Sequence, residues 1–271
     1  MANARHVKKA NIEYHSKMAD EYDTTQPHFS PDNILRMERI IPRLSERSRG
    51  KGVVLDVGCG TGFLMKISEK YFAEVYGVDI SHRMVEKIPK SRKLVSLLAD
   101  SENLPFRDNF FDVCMSYSFL HHLYDLRPTL KEIYRVLKPG GIYFNDQDFN
   151  REYFELAEKI AKQGKETCSE LKTREKQENE VHFRFKIPRE TIRLAEFQEL
   201  EGGGFTAKEL EEKVREAGFR EVAMRPRWFI GQARIQLERG ETIGQEIDAY
   251  LLGLLPTSAS FFKYLSFEAT K

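Results

Sequence analysis

Nine consecutive residues, Leu55-Asp56-Val57-Gly58-Cys59-Gly60-Thr61-Gly62-Phe63, constrain this chain more than the rest of it. The apolar run Val53 to Val57 leads directly into three glycines at alternate positions, and a segment with helical spacing follows (Leu64, Ile67, Tyr71). Glycine lets a backbone approach a ligand where a Cβ would not fit. The start of a helix leaves N–H groups without intrahelical partners, aimed at the same place. Asp56 precedes the first glycine, and a second acid, Asp79, ends the next apolar run, Val75-Tyr76-Gly77-Val78. A strand, a glycine turn, a helix and an acid closing the next strand make a nucleoside-binding site at the carboxyl edge of a parallel sheet.

The rest of the chain extends that unit. Residues 11–48 have helical spacing, broken by a turn at Pro27 to Pro31. Then come a strand at Val53–Val57, a helix at Phe63–Phe72, a strand at Val75–Val78 and a short helix capped by Ser81 that runs through Met84, Val85 and Ile88. Leu94–Leu98 and Phe111–Tyr117 read as strands, and Leu126–Leu137 as a helix stopped by Pro139-Gly140-Gly141, with a fifth strand beginning at Ile142–Asn145. Short apolar runs alternating with helices predict an α/β, doubly wound, mostly parallel sheet. The pattern divides the chain into 1–149 (N-terminal helices and the glycine-loop half), an inserted and mainly helical lid at 150–204, and a return to the core motif at 205–271. In the insertion, a helix carries Tyr153, Phe154, Leu156, Ala157 and Ile160. A charged run from Lys165 to Glu180 follows as a solvated face, and the alternation Val181, Phe183, Phe185, Ile187 predicts a half-exposed strand. Gly202-Gly203-Gly204 reads as a flexible joint. The last part predicts a helix Thr206–Ala217, a strand Phe219–Met224, an excursion at 228–256 with one helix from Thr242 to Leu255, and a final strand Phe261–Phe267.

Composition excludes some classes. A formal net charge of +1 over 271 residues supplies no general pull toward nucleic acid or anionic membrane. No apolar run approaches membrane-spanning length, and Met1 to Ala10 lacks the apolar centre of a signal peptide. Cys59, Cys114 and Cys168 have neither disulfide nor zinc spacing, so a reduced, cytoplasmic setting and no metal are expected.

Five motifs in order carry a family resemblance: Val54 to Gly62; Val78-Asp79-Ile80-Ser81; Ala99-Asp100-Ser101-Glu102-Asn103-Leu104-Pro105-Phe106; Phe111-Asp112-Val113 with Leu120-His121-His122-Leu123; and Glu132 to Gly141. They resemble the class I S-adenosylmethionine-dependent methyltransferases, in particular the broad group that includes the ubiquinone/menaquinone-biosynthesis type. The resemblance is strong over 50–148 and looser over 205–268. It implies a seven-stranded sheet whose last strand, Phe261–Phe267, is antiparallel. It also implies S-adenosyl-L-methionine as cofactor, with S-adenosyl-L-homocysteine as product. Asp79 would then accept both ribose hydroxyls, next to Ile80, and Gly58, Gly60 and Gly62 would pass beside the methionine part with Cys59 and Thr61. Asp56 would either orient the loop or meet the ammonium group. Met84 would pack on adenine or simply fill the core. Asp100 and Ser101 would meet the adenine amine, Tyr117 would touch the cofactor, and Tyr14 and Tyr22 of the N-terminal segment would either close over it or pack.

Methyl transfer from a sulfonium is an in-line displacement with a good leaving group, so positioning dominates. A base is needed only when the acceptor must lose a proton. His121 and His122 after the fourth strand, and Asp146 and Asp148 after the fifth, are the candidates; a His–Asp pair from these four would resemble the general base proposed for some small-molecule O-methyltransferases. The alternative is that the histidines pack under the loop. The expected acceptor is a small molecule taking the methyl on O or N, with neither nucleic acid nor membrane as partner. The aromatics Phe149, Tyr153, Phe154, Phe183, Phe185, Phe197, Trp228 and Phe229 would line its pocket or bury the lid, and Arg184, Lys186, Arg225 and Arg227 would bind an anionic acceptor or lie on an exposed face. Two other readings compete. A nicotinamide oxidoreductase would want its third glycine at position 63, which is Phe. A methyltransferase-like binding protein without transfer would keep the same glycine loop.

Overall fold

Alternate residues of a strand face opposite sides of its sheet, and the first strand shows what this does here. In β1 (Val53–Val57), Val54 packs against one apolar cluster, which holds Met37, Ile41, Leu64, Val75 and Val113. Leu55 and Val57 pack into another, which holds Leu130, Ile133, Leu210 and Phe267. A strand apolar on both faces must be covered on both, so helices lie on each side of the sheet. The computed structural model describes residues 2–48, 52–163 and 178–271. The charged run up to position 177, with Cys168, lies outside the described residues.

The other strands are β2 (Glu74–Asp79), β3 (Leu94–Leu98), β4 (Phe111–Tyr117), β5 (Leu137–Phe149), β6 (Arg220–Met224), β7 (Arg227–Phe229) and β8 (Phe262–Thr270). Their order is β3-β2-β1-β4-β5-β8-β6, with β7 pairing β8. The first five are parallel, and β8 runs antiparallel to its neighbours. Seven strands on one path, the last in sequence antiparallel, match the expected sheet; β7 is an eighth. The helices are α1 (Ala4–Met18), α2 (Tyr22–Thr25), α3 (Pro31–Arg47), α4 (Phe63–Ser68), α5 (His82–Val85), α6 (Leu126–Val136), α7 (Arg151–Lys162), α8 (178–185), α9 (Arg189–Ala195), α10 (Ala207–Glu216), α11 (Gln232–Arg239) and α12 (Glu241–Gly253). Among the described residues no helix is long and apolar enough to cross a membrane.

Several local expectations are corrected. The alternation at 181–187 is not a strand: α8 places Val181 and Phe185, four apart and so on one helix face, against α1 and α9, while Phe183 is 72% exposed. Pro139-Gly140-Gly141 does not stop α6, which ends at Val136 and turns directly into the thirteen-residue β5. The Ser81 hydroxyl caps nothing; it pairs with Ser16 Oγ at 3.1 Å. The excursion at 228–256 holds two helices, not one. Gly202 to Gly204 is tied down: Gly204 N–H donates to Gln198 O at 2.7 Å, and Arg151 donates to the carbonyls of Gly202 and Gly204.

Candidate active site

The glycine turn after β1 opens into a cavity of about 970 Å³, part of it solvent, at the carboxyl edge of the sheet. Of the residues expected around a cofactor, Asp56, Gly58, Cys59, Gly60, Thr61, Asp79, Ile80, Asp100, Ser101, Tyr117 and Tyr22 line it. Gly58 has φ +73°, and a Cβ there would lie 2.2 Å from the Phe119 ring, so the turn requires glycine on two counts. Asp79 Oδ2 accepts the Gly60 N–H at 2.9 Å and Oδ1 the Ser81 N–H at 2.8 Å. Together with the Ile80 N–H these bonds orient the carboxylate at the strand end, where a ribose diol would find an acceptor. Burial, together with the neighbouring Asp79, pushes the Asp56 carboxyl up to about 8.

Three expected residues stand elsewhere. Met84 is buried but does not line the cavity, so it is core. Gly62, with φ +87°, precedes α4 and packs toward Ile88. Tyr14 faces a different cavity. The N-terminal segment closes the site by polar contacts as well: Lys8 Nζ donates to Asp100 and Glu102, each at 2.6 Å, and the Thr61 hydroxyl donates to Asp23. Asp100 therefore reaches an adenine amine only by sharing its carboxylate with Lys8.

A second cavity, of about 1280 Å³ with open solvent included, adjoins the first. Its walls come from α1, α2 and the turn after it, the loop after β4, the end of β5, the insertion and β8. The two cavities share His15, Tyr22, His28, Ser118 and His122. Phe149 and Phe185 line it, whereas Tyr153, Phe154 and Phe229 are buried and Phe197 packs on Tyr124. Of the cations expected for an anionic acceptor, Arg184 is held by Glu21 and Glu180, and Arg227 by Asp146 and Gln147. Arg184, Lys186, Arg225 and Arg227 all lie outside the lining.

The four proposed catalytic side chains separate into two groups because of one irregularity. At Gln147, φ is +71°, and β5 shifts register against β8 between Asn145 and Asp148. A bulge re-aims the side chains that follow it. Asp148 therefore joins Asn145, whose Nδ2 donates to it at 2.8 Å, and meets His121: Asp148 Oδ1 lies 2.9 Å from Nδ1 and accepts the His121 backbone N–H at 3.0 Å. Asp146 points elsewhere and is fully buried between Arg36 and Arg227. Burial would raise its carboxyl, but the two guanidinium groups outweigh that and hold it below the ordinary range. Asp146 thus lines neither cavity.

The structure adds residues the sequence did not mark. Glu196, just after α9, stands 3.3 Å from His121 Nε2 and 3.8 Å from His122 Nδ1. Burial pulls His121 down, but Asp148 and Glu196 overcome it and raise its pKa to about 10. Burial and the adjacent His121 lower His122 to about 4, and burial lowers His15 and His28 to about 3. His15 packs edge-on to His122, ring centroids 4.7 Å apart. No spacing rule announces Glu196, because it sits in the insertion, 74 positions from the nearer histidine.

Residues 55–145 match the family described as a methyltransferase domain. Over 123 residues the chain is 36% identical to a tRNA (carboxymethyluridine(34)-5-O)-methyltransferase of Arabidopsis thaliana, an overlap of 44% of this chain and 30% of that protein. It is 38% identical over 93 residues to a malonyl-acyl-carrier-protein O-methyltransferase of Hamiltonella defensa, covering 34% of this chain and 36% of the relative. The chain spans about a third of the length of these curated relatives. Among solved structures, phosphoethanolamine N-methyltransferase 2 of Haemonchus contortus, in complex with phosphomonomethylethanolamine and S-adenosylhomocysteine, superposes with a TM-score of 0.58 at 18% identity, over 100% of this chain and 60% of that one. At that identity the likeness concerns the fold. The family match falls on the glycine turn, Asp79, Asp100 and Tyr117, and residues 55–145 are a methyltransferase domain of the S-adenosylmethionine-dependent kind.

Proposed function

We propose that the chain transfers the methyl group of S-adenosylmethionine to an oxygen or nitrogen of a small-molecule acceptor seated in the second cavity. The observation that carries this reading is the shared wall: His15, Tyr22, His28, Ser118 and His122 border both cavities, so an acceptor in one lies next to a sulfonium in the other. Transfer breaks the S–CH₃ bond, forms O–CH₃ or N–CH₃, and leaves a neutral thioether, with alignment as the main demand on the protein. Asp146 is held by two arginines and Asp148 by His121, Asn145 and a backbone N–H, so the histidines are the catalytic candidates that face the acceptor.

Relatives that act on tRNA raise the question of a nucleic-acid acceptor. Glu178, Glu180, Glu196 and Glu199 line the second cavity against one lysine, Lys263, and carboxylates repel phosphates. That favours a small molecule. Incubating the purified chain with methyl-tritiated cofactor and a cell extract, then separating low-mass, RNA and protein fractions, tests it. Label in the low-mass fraction supports the reading. Label confined to RNA or protein removes the small-molecule part, and no affinity for S-adenosylhomocysteine by calorimetry removes the cofactor assignment.

A further inference from the structure

We propose that His121, His122 and Glu196 form a binding site for a divalent transition metal, zinc by its donor set, where the two cavities meet. One ligand atom from each of the three lies within 4.8 Å of the others. His121 Nε2 and Glu196 Oε2 are 3.3 Å apart. Two ligands each about 2.0–2.1 Å from a tetrahedral zinc are separated by roughly 3.3 Å, so this pair already stands at ligand spacing. His122 supplies the third donor: its Nδ1 is 3.8 Å from the same oxygen and 2.8 Å from Ala195 O, a hydrogen bond that coordination through this nitrogen would replace.

The surroundings of His121 match the support of a metal-bound imidazole. A ligating histidine ordinarily rests its other nitrogen on a carboxylate or carbonyl, which sets the tautomer and aims the free lone pair. Here His121 Nδ1 sits on Asp148 Oδ1, and Asp148 is itself held by Asn145. The two carboxylates, Asp148 and Glu196, carry together the charge that a divalent ion balances. Two histidines and a glutamate make a three-ligand set with an open fourth position, the form of catalytic rather than structural zinc. Since His122 lines both cavities, that position opens toward the acceptor.

Metal binding stands independently of the methyltransferase reading; its role rests on it. A hydroxyl acceptor taken as fourth ligand loses its proton to solvent more readily under the ion's field. The resulting oxygen then takes the methyl, and the electron pair of the broken S–C bond stays on sulfur. The site thereby selects a hydroxyl-bearing acceptor.

The test titrates Co²⁺ alone into the chelator-treated full chain and follows the visible absorption of the ion, with S-adenosylhomocysteine calorimetry on the same samples reporting an intact fold. One ion per chain, displaced by Zn²⁺, is expected. Glu196→Gln and His121→Asn should each weaken it by roughly 100-fold, and Asp148→Asn by roughly 10- to 100-fold, with cofactor-product affinity kept. A wild-type chain that binds S-adenosylhomocysteine but takes up no Co²⁺ overturns the site, as does undiminished uptake by Glu196→Gln. A chain that binds the ion but not S-adenosylhomocysteine supports the metal site and overturns the methyltransferase reading.

Discussion

The two cavities share five residues and are otherwise lined by different parts of the chain. The first cavity is lined by residues 4 to 124, much of it by turns that follow β1, β2, β3 and β4 in order, and its best-defined contacts use backbone N–H groups. The second cavity is lined by residues from Tyr14 to Tyr264, contributed by five segments that are distant in sequence. Backbone chemistry at a strand end needs only a local motif. A side-chain pocket needs the chain to return several times to one place, and each return is free to carry different residues.

If the cavities are separate binding units, substitutions should divide cleanly between cofactor affinity and acceptor use. The largest effect is expected at Asp79. Charge-assisted hydrogen bonds contribute about 1.5–3 kcal/mol each, so Asp79→Ala, losing two to the ribose, should weaken S-adenosylhomocysteine by ~100-fold or more in calorimetry. Next is Asp146→Ala, which strands two guanidinium groups. Breaking a buried pair costs about 3–5 kcal/mol, to be read as a lowered denaturation midpoint. The cofactor affinity of the remaining folded protein should change little, and a large loss would mean that Asp146 acts in the site. The Asp146 carboxyl is depressed in the folded state. Its stabilisation is therefore present above the unfolded carboxylate value of about 4, and is lost as pH falls through the folded one.

Gly58→Ala comes third. A non-glycine residue in this backbone region costs about 1–3 kcal/mol, and the Phe119 ring must also move. Melting temperature and cofactor affinity should fall together, the affinity by ~10-fold. Phe185→Ala opens the other wall: the acceptor KM should rise by ~10-fold, about 1.4 kcal/mol of lost burial, with S-adenosylhomocysteine affinity unchanged within about twofold. Equal loss of both would merge the two cavities into one unit. The smallest effect is a proton. With its pKa at about 8 in the empty protein, Asp56 is mostly protonated at pH 7. A cofactor ammonium beside it favours the ionised form, so binding should release up to about one proton below pH 8 and tighten as pH rises toward 8. Calorimetry in buffers of different ionisation enthalpy measures that release, and its absence would place the ammonium away from Asp56.

How much could be read in advance follows the same division. β1, β3 and β4 fall at the expected residues, because buried parallel strands are short apolar runs with turn signals on either side. The segment at 181–187 failed as a strand because a two-residue apolar alternation and a short helix burying residues four apart both fit Val181 and Phe185; packing on α1 and α9 decided it. Tyr14 and Tyr22 sit in one motif eight residues apart, yet only Tyr22 lines the first cavity.

By itself, the sequence determined the parallel core, the glycine turn and Asp79, since each is a contact between near neighbours or a conformation open to few residue types. Only the tertiary structure decided which acid meets which histidine. The bulge at Gln147 turns Asp148 toward His121 and leaves Asp146 between two arginines, and the insertion carries Glu196 onto the same pair. Neither event leaves a local trace, because strand register and the docking of an insertion are settled by packing across the whole sheet.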